Sequence, residues 1–311
     1  MANLAYIQIT RNCNQECRFC SNPPSGYKEM TLNQAKKLIA DYKKRGYEGV
    51  ILSGGEPTLY PGLPHLIKYC SLKKLPCRII TNGQKTADLK YLTSLVKTGL
   101  NHINVSIYSH KPKIQNFLSQ NQDSFENIKA TLNNLAKAKI RTDINITINR
   151  YNSNHLSLTV KFIVKNYPFV KHFIFNNLDP TAERVKKNPD TVPRLADFEL
   201  ELNKTLQFLD KINLSFRVER VPLCYLPGFE HCSTETRKIV KNEIRPIYFL
   251  DRKGFLVQKE FSHGKSEKCR LCSLNEICAG LFAMDKYYSS KELYPVFVSK
   301  EEIIHSIVNE I

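Results

Sequence analysis

A chain of 311 residues that is 42% hydrophobic and 24% charged has enough apolar side chain to build a core, which excludes an intrinsically disordered protein. Lys and Arg number 46 against 29 Asp and Glu, and the resulting formal net charge of +17 favours acidic partners. No apolar run reaches the roughly 18 to 20 residues that span a bilayer, and the N-terminus lacks the basic start and apolar stretch of a signal peptide, so a cytoplasmic protein with no membrane association is expected.

Taken in chain order, the first two hundred residues alternate short β-rich runs with longer amphipathic stretches. Strands are predicted at 6–10, 49–52, 78–81, 102–107, 143–148 and 172–175, several as Val/Ile/Phe runs of the kind buried in parallel sheets. Thr31 and Gln34 stand at the spacing of a capping box, and Ala35, Leu38, Ile39 and Tyr42 follow at helical steps. A second helix is predicted through Tyr91, Leu92, Leu95 and Val96, and a third through Phe125, Ile128, Leu132 and Leu135. Six βα units predict an α/β protein with a parallel sheet and helices outside it; periodicity alone leaves doubly wound and barrel-like closure both open. A long helix over 193–212 closes this region. Beyond it come strands at 215–219, 246–250 and 255–258, the last two joined by a Gly-containing turn at 251–254 that reads as a hairpin. A boundary at residue 213 is expected, giving domains 1–212 and 213–311, and residues 299–311 read as a terminal amphipathic helix.

Ten cysteines in a reducing compartment call for a reason other than disulfides. Cys70 and Cys77 sit in apolar surroundings and read as small buried hydrophobes. Cys13, Cys17 and Cys20 directly follow the first strand, where α/β folds place their sites. Three thiolates at this spacing suit a [4Fe–4S] cluster with one iron left open. Zinc, which prefers four ligands in a closed site, is the alternative. Gly54-Gly55-Glu56-Pro57 follows the second strand, where two glycines let the backbone approach a ligand closely; an ordinary βα turn is the alternative.

Together these residues resemble the radical S-adenosylmethionine (radical SAM) superfamily, whose hallmark is CxxxCxxC with an aromatic residue, here Phe19, before the third cysteine. The resemblance covers roughly residues 5–180 and implies a partial (β/α)6 TIM-type barrel. It implies that Cys13, Cys17 and Cys20 ligate three irons while SAM chelates the fourth. It also implies cofactor contacts from the segment Gly54, Gly55, Glu56 and Pro57, from Ser106 on the fourth strand, and from Asn145 and Asn149 on the fifth. Thr81-Asn82-Gly83 resembles the end of the superfamily's third strand.

Near the C-terminus, Cys269, Cys272 and Cys278 have the spacing CxxCxxxxxC. Structural zinc is one reading. Following a barrel and a hairpin, the segment resembles the SPASM/twitch extensions of radical SAM enzymes, which implies an auxiliary [4Fe–4S] cluster in a small C-terminal β-hairpin/helix domain. The fourth ligand must come from elsewhere, with Cys224 the first choice and Cys232 the second. Gly254 is not followed by the usual cysteine, and none follows Cys278, so one auxiliary cluster is expected.

The resemblance implies an enzyme that cleaves SAM reductively to a 5′-deoxyadenosyl radical and abstracts hydrogen from a substrate. Enzymes of this build often modify ribosomally made peptides, so a peptide is the expected substrate, although residues 1–12 leave no room for an N-terminal peptide-binding domain. A one-electron donor such as flavodoxin or ferredoxin is the expected partner, and an acidic leader peptide or RNA would suit the charge. The rivals are a radical SAM enzyme acting on RNA or a small metabolite, and a non-catalytic iron–sulfur or zinc protein. No cobalamin domain fits before Cys13, so cobalamin-dependent methyl transfer is not expected.

Overall fold

In the computed structural model, residues 4–251 and 254–309 are described. They form one nine-stranded sheet in the order β7-β6-β5-β4-β3-β2-β1-β8-β9. The parallel strands are β1 (Leu4–Thr10), β2 (Gly49–Gly54), β3 (Cys77–Thr81), β4 (His102–Ser106), β5 (Arg141–Ile148), β6 (His172–Asn177), β7 (Ser215–Glu219) and β8 (Arg245–Tyr248). The last strand, β9 (Phe255–Gln258), lies antiparallel on β8. The crossovers carry helices α1 (Leu32–Lys44), α2 (Leu63–Leu72), α3 (Leu89–Lys97), α4 (Pro112–Ser119), α5 (Ser124–Ala138), α6 (Leu156–Asn166), α7 (Glu183–Lys187) and α8 (Leu195–Lys211). After β7 come α9 (Thr234–Val240) and, at the end, α10 (Lys300–Val308). The two edge strands do not pair with each other, so the barrel stays open, as the partial barrel expected from the sequence requires.

The strands alternate, and the alternation makes the site. Ile7 and Ile9 of β1, Val50 and Leu52 of β2, and Ile144, Ile146 and Ile148 of β5 are fully buried beneath the helices. They meet residues such as Ile39 and Tyr42 of α1, in one continuous core. The opposite face of the same strands carries polar residues into the concave side. Thr31 caps α1 as its spacing predicts: its hydroxyl accepts from the Gln34 N–H at 3.2 Å, and the Gln34 carboxamide accepts from the Thr31 N–H at 2.9 Å.

Strands from both sides of the expected boundary at residue 213 join one sheet. Strand β7 follows α8 as a seventh βα-type addition and pairs parallel with β6, Phe173 opposite Phe216. The β8–β9 hairpin attaches to the other side of the sheet, with Tyr6 of β1 opposite Ile247. The strands assigned to a C-terminal domain thus complete the N-terminal sheet at both edges. The physical reason is that β1 and β6 would otherwise expose unpaired backbone groups beside the core. Of the hairpin turn, Arg252 and Lys253 lie outside the described residues; the Gly254 N–H donates to the Asp251 carbonyl at 3.1 Å. The expected terminal helix is α10, and Glu310 and Ile311 lie outside the described residues. Among the described residues no helix is long and apolar enough to cross a membrane.

Candidate functional site

The loop leaving β1 and the turn leaving β2 are bound to one another by their backbones. The Gly55 N–H donates to the Thr10 carbonyl at 2.8 Å and the Glu56 N–H to the Asn12 carbonyl at 2.7 Å. So close an approach excludes side chains. Gly54 has φ +148°, and a Cβ there would stand 2.0 Å from the Thr10 carbonyl oxygen; at Gly55 it would stand 2.4 Å from that of Asn12. Glu56 is buried, and its carboxylate braces the next strand exit. Oε1 accepts from the Thr58 hydroxyl at 2.6 Å and the Thr81 hydroxyl at 2.7 Å, and Oε2 accepts from the Asn82 N–H at 2.7 Å. Burial raises its pKa, and those donors oppose the rise. Pro57 starts the short 3-10 turn Pro57–Leu59.

The rest of the cysteine loop is anchored to α4 and α5. Backbone N–H groups of Glu16 and Arg18 donate to the Ser119 and Leu118 carbonyls at 3.2 and 2.9 Å, and the Gln15 carboxamide donates to the Ser124 hydroxyl at 3.0 Å. Held this way, Cys13, Cys17 and Cys20 line one cavity of about 540 Å³ together with Phe19, Gly54, Gly55, Glu56, Ser106 and Asn145. Phe19 packs edge-on against Tyr108, ring centroids 4.7 Å apart, and the Tyr108 hydroxyl lies 3.9 Å from the Cys17 sulfur. Around the other sulfurs, the Asn22 N–H donates to Cys20 Sγ at 3.3 Å and the Asn82 side chain to Cys13 Sγ at 3.7 Å. Burial pushes the Cys13 thiol up to about 11 and raises those of Cys17 and Cys20 as well. Cationic metal would have to supply the charge that makes thiolates of them.

Asn149 is not on this wall. It is fully buried at the exit of β5, where its carboxamide donates to the Thr147 carbonyl at 3.0 Å and accepts from the Tyr151 N–H at 3.0 Å. The cavity is the concave side of the sheet, and sequence reading missed most of its lining. Asn104 of β4, Thr147 of β5 and Asn176 of β6 supply neutral polar groups, while Arg78 of β3 and Arg245 of β8 supply cations. Each occupies an alternate position in its strand, which is the sequence signal that marks them.

A second, smaller cavity of about 20 Å³ gathers Cys224, Cys269, Cys272 and Cys278. Cys224 reaches it from the 3-10 turn Leu223–Tyr225 beyond β7. Cys232 does not line it and is buried in the turn Glu230–Cys232. Three of these sulfurs have polar neighbours: the Val296 N–H donates to Cys272 at 3.4 Å, the Gly280 N–H donates to Cys278 at 3.3 Å, and the Ser266 hydroxyl is 3.6 Å from Cys269. Burial drives the Cys224 thiol up to about 12.

The family profile of the radical SAM superfamily matches residues 7–163, half of the chain, and takes in the cysteine loop and the glycine turn. The chain belongs to the radical SAM superfamily. It is 30% identical over 111 residues to the "Probable GTP 3',8-cyclase" of Thermococcus kodakarensis, covering 35% of this chain and 36% of that protein. Over 147 residues it is 29% identical to the "PqqA peptide cyclase" of Bradyrhizobium diazoefficiens, 46% of this chain and 37% of that one. These matches thus span little more than a third of each relative. Among solved structures, Streptococcus suis SuiB bound to its precursor peptide SuiA superposes with a TM-score of 0.63 at 18% identity, over 80% of this chain and 58% of that one. At that identity the likeness is one of fold.

Membership in the superfamily implies SAM and a [4Fe–4S] cluster, and the donor chemistry at the mouth of the barrel fits such a group. Among the described residues three thiols and no imidazole face the cavity, the donor type of iron–sulfur clusters. Among the described residues no three His, Cys, Asp or Glu are gathered so as to hold a single metal ion. A four-iron cluster is wider than one ion.

Proposed function

We propose that this radical SAM protein abstracts hydrogen from a substrate held inside the open barrel, with a peptide as the substrate class. Cys13, Cys17 and Cys20 would hold the catalytic cluster. Gly54, Gly55, Ser106 and Asn145, on the same cavity wall, would contact SAM. When bound and reduced, the cluster and SAM together supply a 5′-deoxyadenosyl radical. What the chain contributes is position and exclusion of water. The hydrogen bonds from Gly55 and Glu56 fix the cysteine loop, Glu56 carries that alignment on to β3, and Phe19 with Tyr108 walls one side. The observation that carries the reading is the convergence of three thiols and the glycine pair on the mouth of one polar chamber.

Cys224, Cys269, Cys272 and Cys278 would hold one auxiliary cluster in this reading, with Cys224 preferred to Cys232 because it lines the same cavity. Support for a peptide comes from two proteins of like fold or sequence, a peptide cyclase and SuiB with its precursor peptide. The net charge of +17 suits an acidic leader and an acidic electron donor of the flavodoxin or ferredoxin kind. A reducing cytoplasm, where thiols are kept from forming disulfides, is part of this reading.

Anaerobic reconstitution with iron and sulfide, followed by reduction in the presence of SAM, tests the core of this reading. Formation of 5′-deoxyadenosine by the wild type, and its loss when Cys13, Cys17 and Cys20 are each changed to Ala, is the expected result. An iron-loaded wild type that leaves SAM intact overturns it.

A further inference from the structure

The chamber has two ends of different chemistry. The cysteine loop and the glycine turn follow the carboxyl ends of β1 and β2, and Thr81, whose hydroxyl binds Glu56, ends β3. Arg78 is the second residue of β3 and Arg245 the first of β8, so both enter from the opposite end. Three residue steps along the strand separate Arg78 from Thr81, a rise of about 10 Å. Both guanidinium groups line the chamber and act on one another as like charges.

Among the described residues no carboxylate stands within salt-bridge distance of either. The acid that acts on Arg78 through space is Asp143, and its oxygens are already engaged: His102 Nε2 lies 2.7 Å from one and Arg141 Nε 3.5 Å from the other. Arg78 Nε is buried with no hydrogen-bond partner. Arg245 lies over the ring of Tyr6, 5.5 Å from its centroid, and Tyr6 is pinned by its hydroxyl to Ser53 Oγ at 2.7 Å. The wall also carries neutral amides, Asn104, Asn145 and Asn176, and, at and beyond the carboxyl ends of its strands, the charged Glu56, Asp179, Glu219 and Arg220. Two like charges near one another, with no carboxylate at salt-bridge distance, are costly to fold around, and neutral residues would line the chamber without that cost. A guanidinium fork, in contrast, matches a carboxylate or phosphate through paired hydrogen bonds.

We propose that Arg78 and Arg245 form an oxyanion-binding floor, so that the substrate enters with a carboxylate or phosphate group directed away from the thiols and its reacting carbon about 10 Å nearer the mouth. This rests on the barrel interior being the substrate chamber. An acidic residue of a peptide and the phosphate of a small metabolite are the two sources of that chemistry.

The test is calorimetric titration of the anaerobically reconstituted full chain with inorganic pyrophosphate and, separately, with succinate. At least one of the two binds the wild type; tighter pyrophosphate assigns a phosphorylated substrate, tighter succinate a carboxylate. Arg78→Gln and Arg245→Gln each weaken that binding at least about tenfold, the usual worth of one charge-assisted hydrogen bond. Arg78→Lys, which keeps the charge, loses less than Arg78→Gln, and the exposed Arg45→Gln changes nothing. Absence of binding by the wild type overturns the proposal, as does undiminished binding by the Arg78→Gln/Arg245→Gln double variant, which would place the anion on the basic surface. SAM cleavage by the wild type is read in the same preparation. Its absence overturns the radical reading, whereas failed anion binding with intact SAM cleavage overturns only the floor.

Discussion

Replacing Gly55 by Ala adds a single methyl group at the seam between the β1 and β2 exits. The added Cβ would lie 2.4 Å from the Asn12 carbonyl oxygen and 2.6 Å from that of Arg11. Both neighbours are backbone, so no side-chain rotation relieves the contact, and ordinary van der Waals separation requires the cysteine loop to retreat by about 1 Å. The retreat strains the hydrogen bonds from Gly55 to Thr10 and from Glu56 to Asn12 that fix where Cys13 stands. Overpacking of this size costs about 1–3 kcal/mol, which for a chain of this length is a Tm lower by roughly 2–5 °C. Misplacing reacting groups by about 1 Å costs on the order of 100-fold in rate. The expected variant therefore unfolds a few degrees early in a melt followed by circular dichroism, binds its full complement of iron, and forms 5′-deoxyadenosine about 100-fold more slowly than the wild type. Wild-type melting together with a wild-type rate would show that the close approach of the two loops does not position the cluster.

Further outcomes follow from the two thiol sets and from one buried histidine. Changing Cys13, Cys17 and Cys20 together to Ala should leave about four irons per chain, held by the second set; a variant that takes up none on reconstitution removes the auxiliary site. Cys272→Ala should lower bound iron from about eight to about four per chain, counted colourimetrically, whereas Cys232→Ala should leave the count unchanged, and the reverse result would transfer the ligand role. His155 is buried, with Nε2 2.8 Å from the Ser109 hydroxyl, and burial lowers its pKa to about 4. Because the unfolded chain binds this proton near pH 6.5 and the folded one only near 4, stability should fall as the pH drops from about 6.5 towards 4, by about 2–3 kcal/mol. Denaturant titrations of the wild type and of His155→Gln across that range should show this contribution to the slope only in the wild type, and parallel curves would refute it.

The βα rhythm was legible because each unit is local: a capping-box pair at Thr31 and Gln34 and an apolar stripe through Ile39 and Tyr42 specify α1 wherever it ends up. The affiliation of the later strands was not. Pairing of Tyr6 with Ile247 joins residues some 240 positions apart, and no periodicity within either strand announces it. The cysteine triplet was readable for the same local reason, since ligand spacing along one loop is itself the chemistry. Asn149 shows the limit of that approach. It shares parity with Asn145, so strand alternation would aim both into the chamber. But β5 ends at Ile148, and one residue later the backbone turns and takes the carboxamide for its own N–H and carbonyl groups.

The arginines of the floor were hidden by composition. In a chain with 46 basic residues a single Arg at a strand start reads as surface charge. Only the pairing of the strands shows that Arg78, opposite Ile51, shares the inner face with Tyr6, opposite that same Ile51. The seventh strand then joins the chamber to the second thiol set. Glu219, which ends β7, and Arg220 beside it line the chamber, and Cys224 lines the smaller cavity. Four residues extend at most about 14 Å, so the backbone at Cys224 cannot be farther than that from the chamber wall at Arg220. The short link keeps Cys224 within that reach of the chamber, beyond the carboxyl end of β7, the end of the strands at which Cys13, Cys17 and Cys20 follow β1 and at which α/β folds gather their reacting groups.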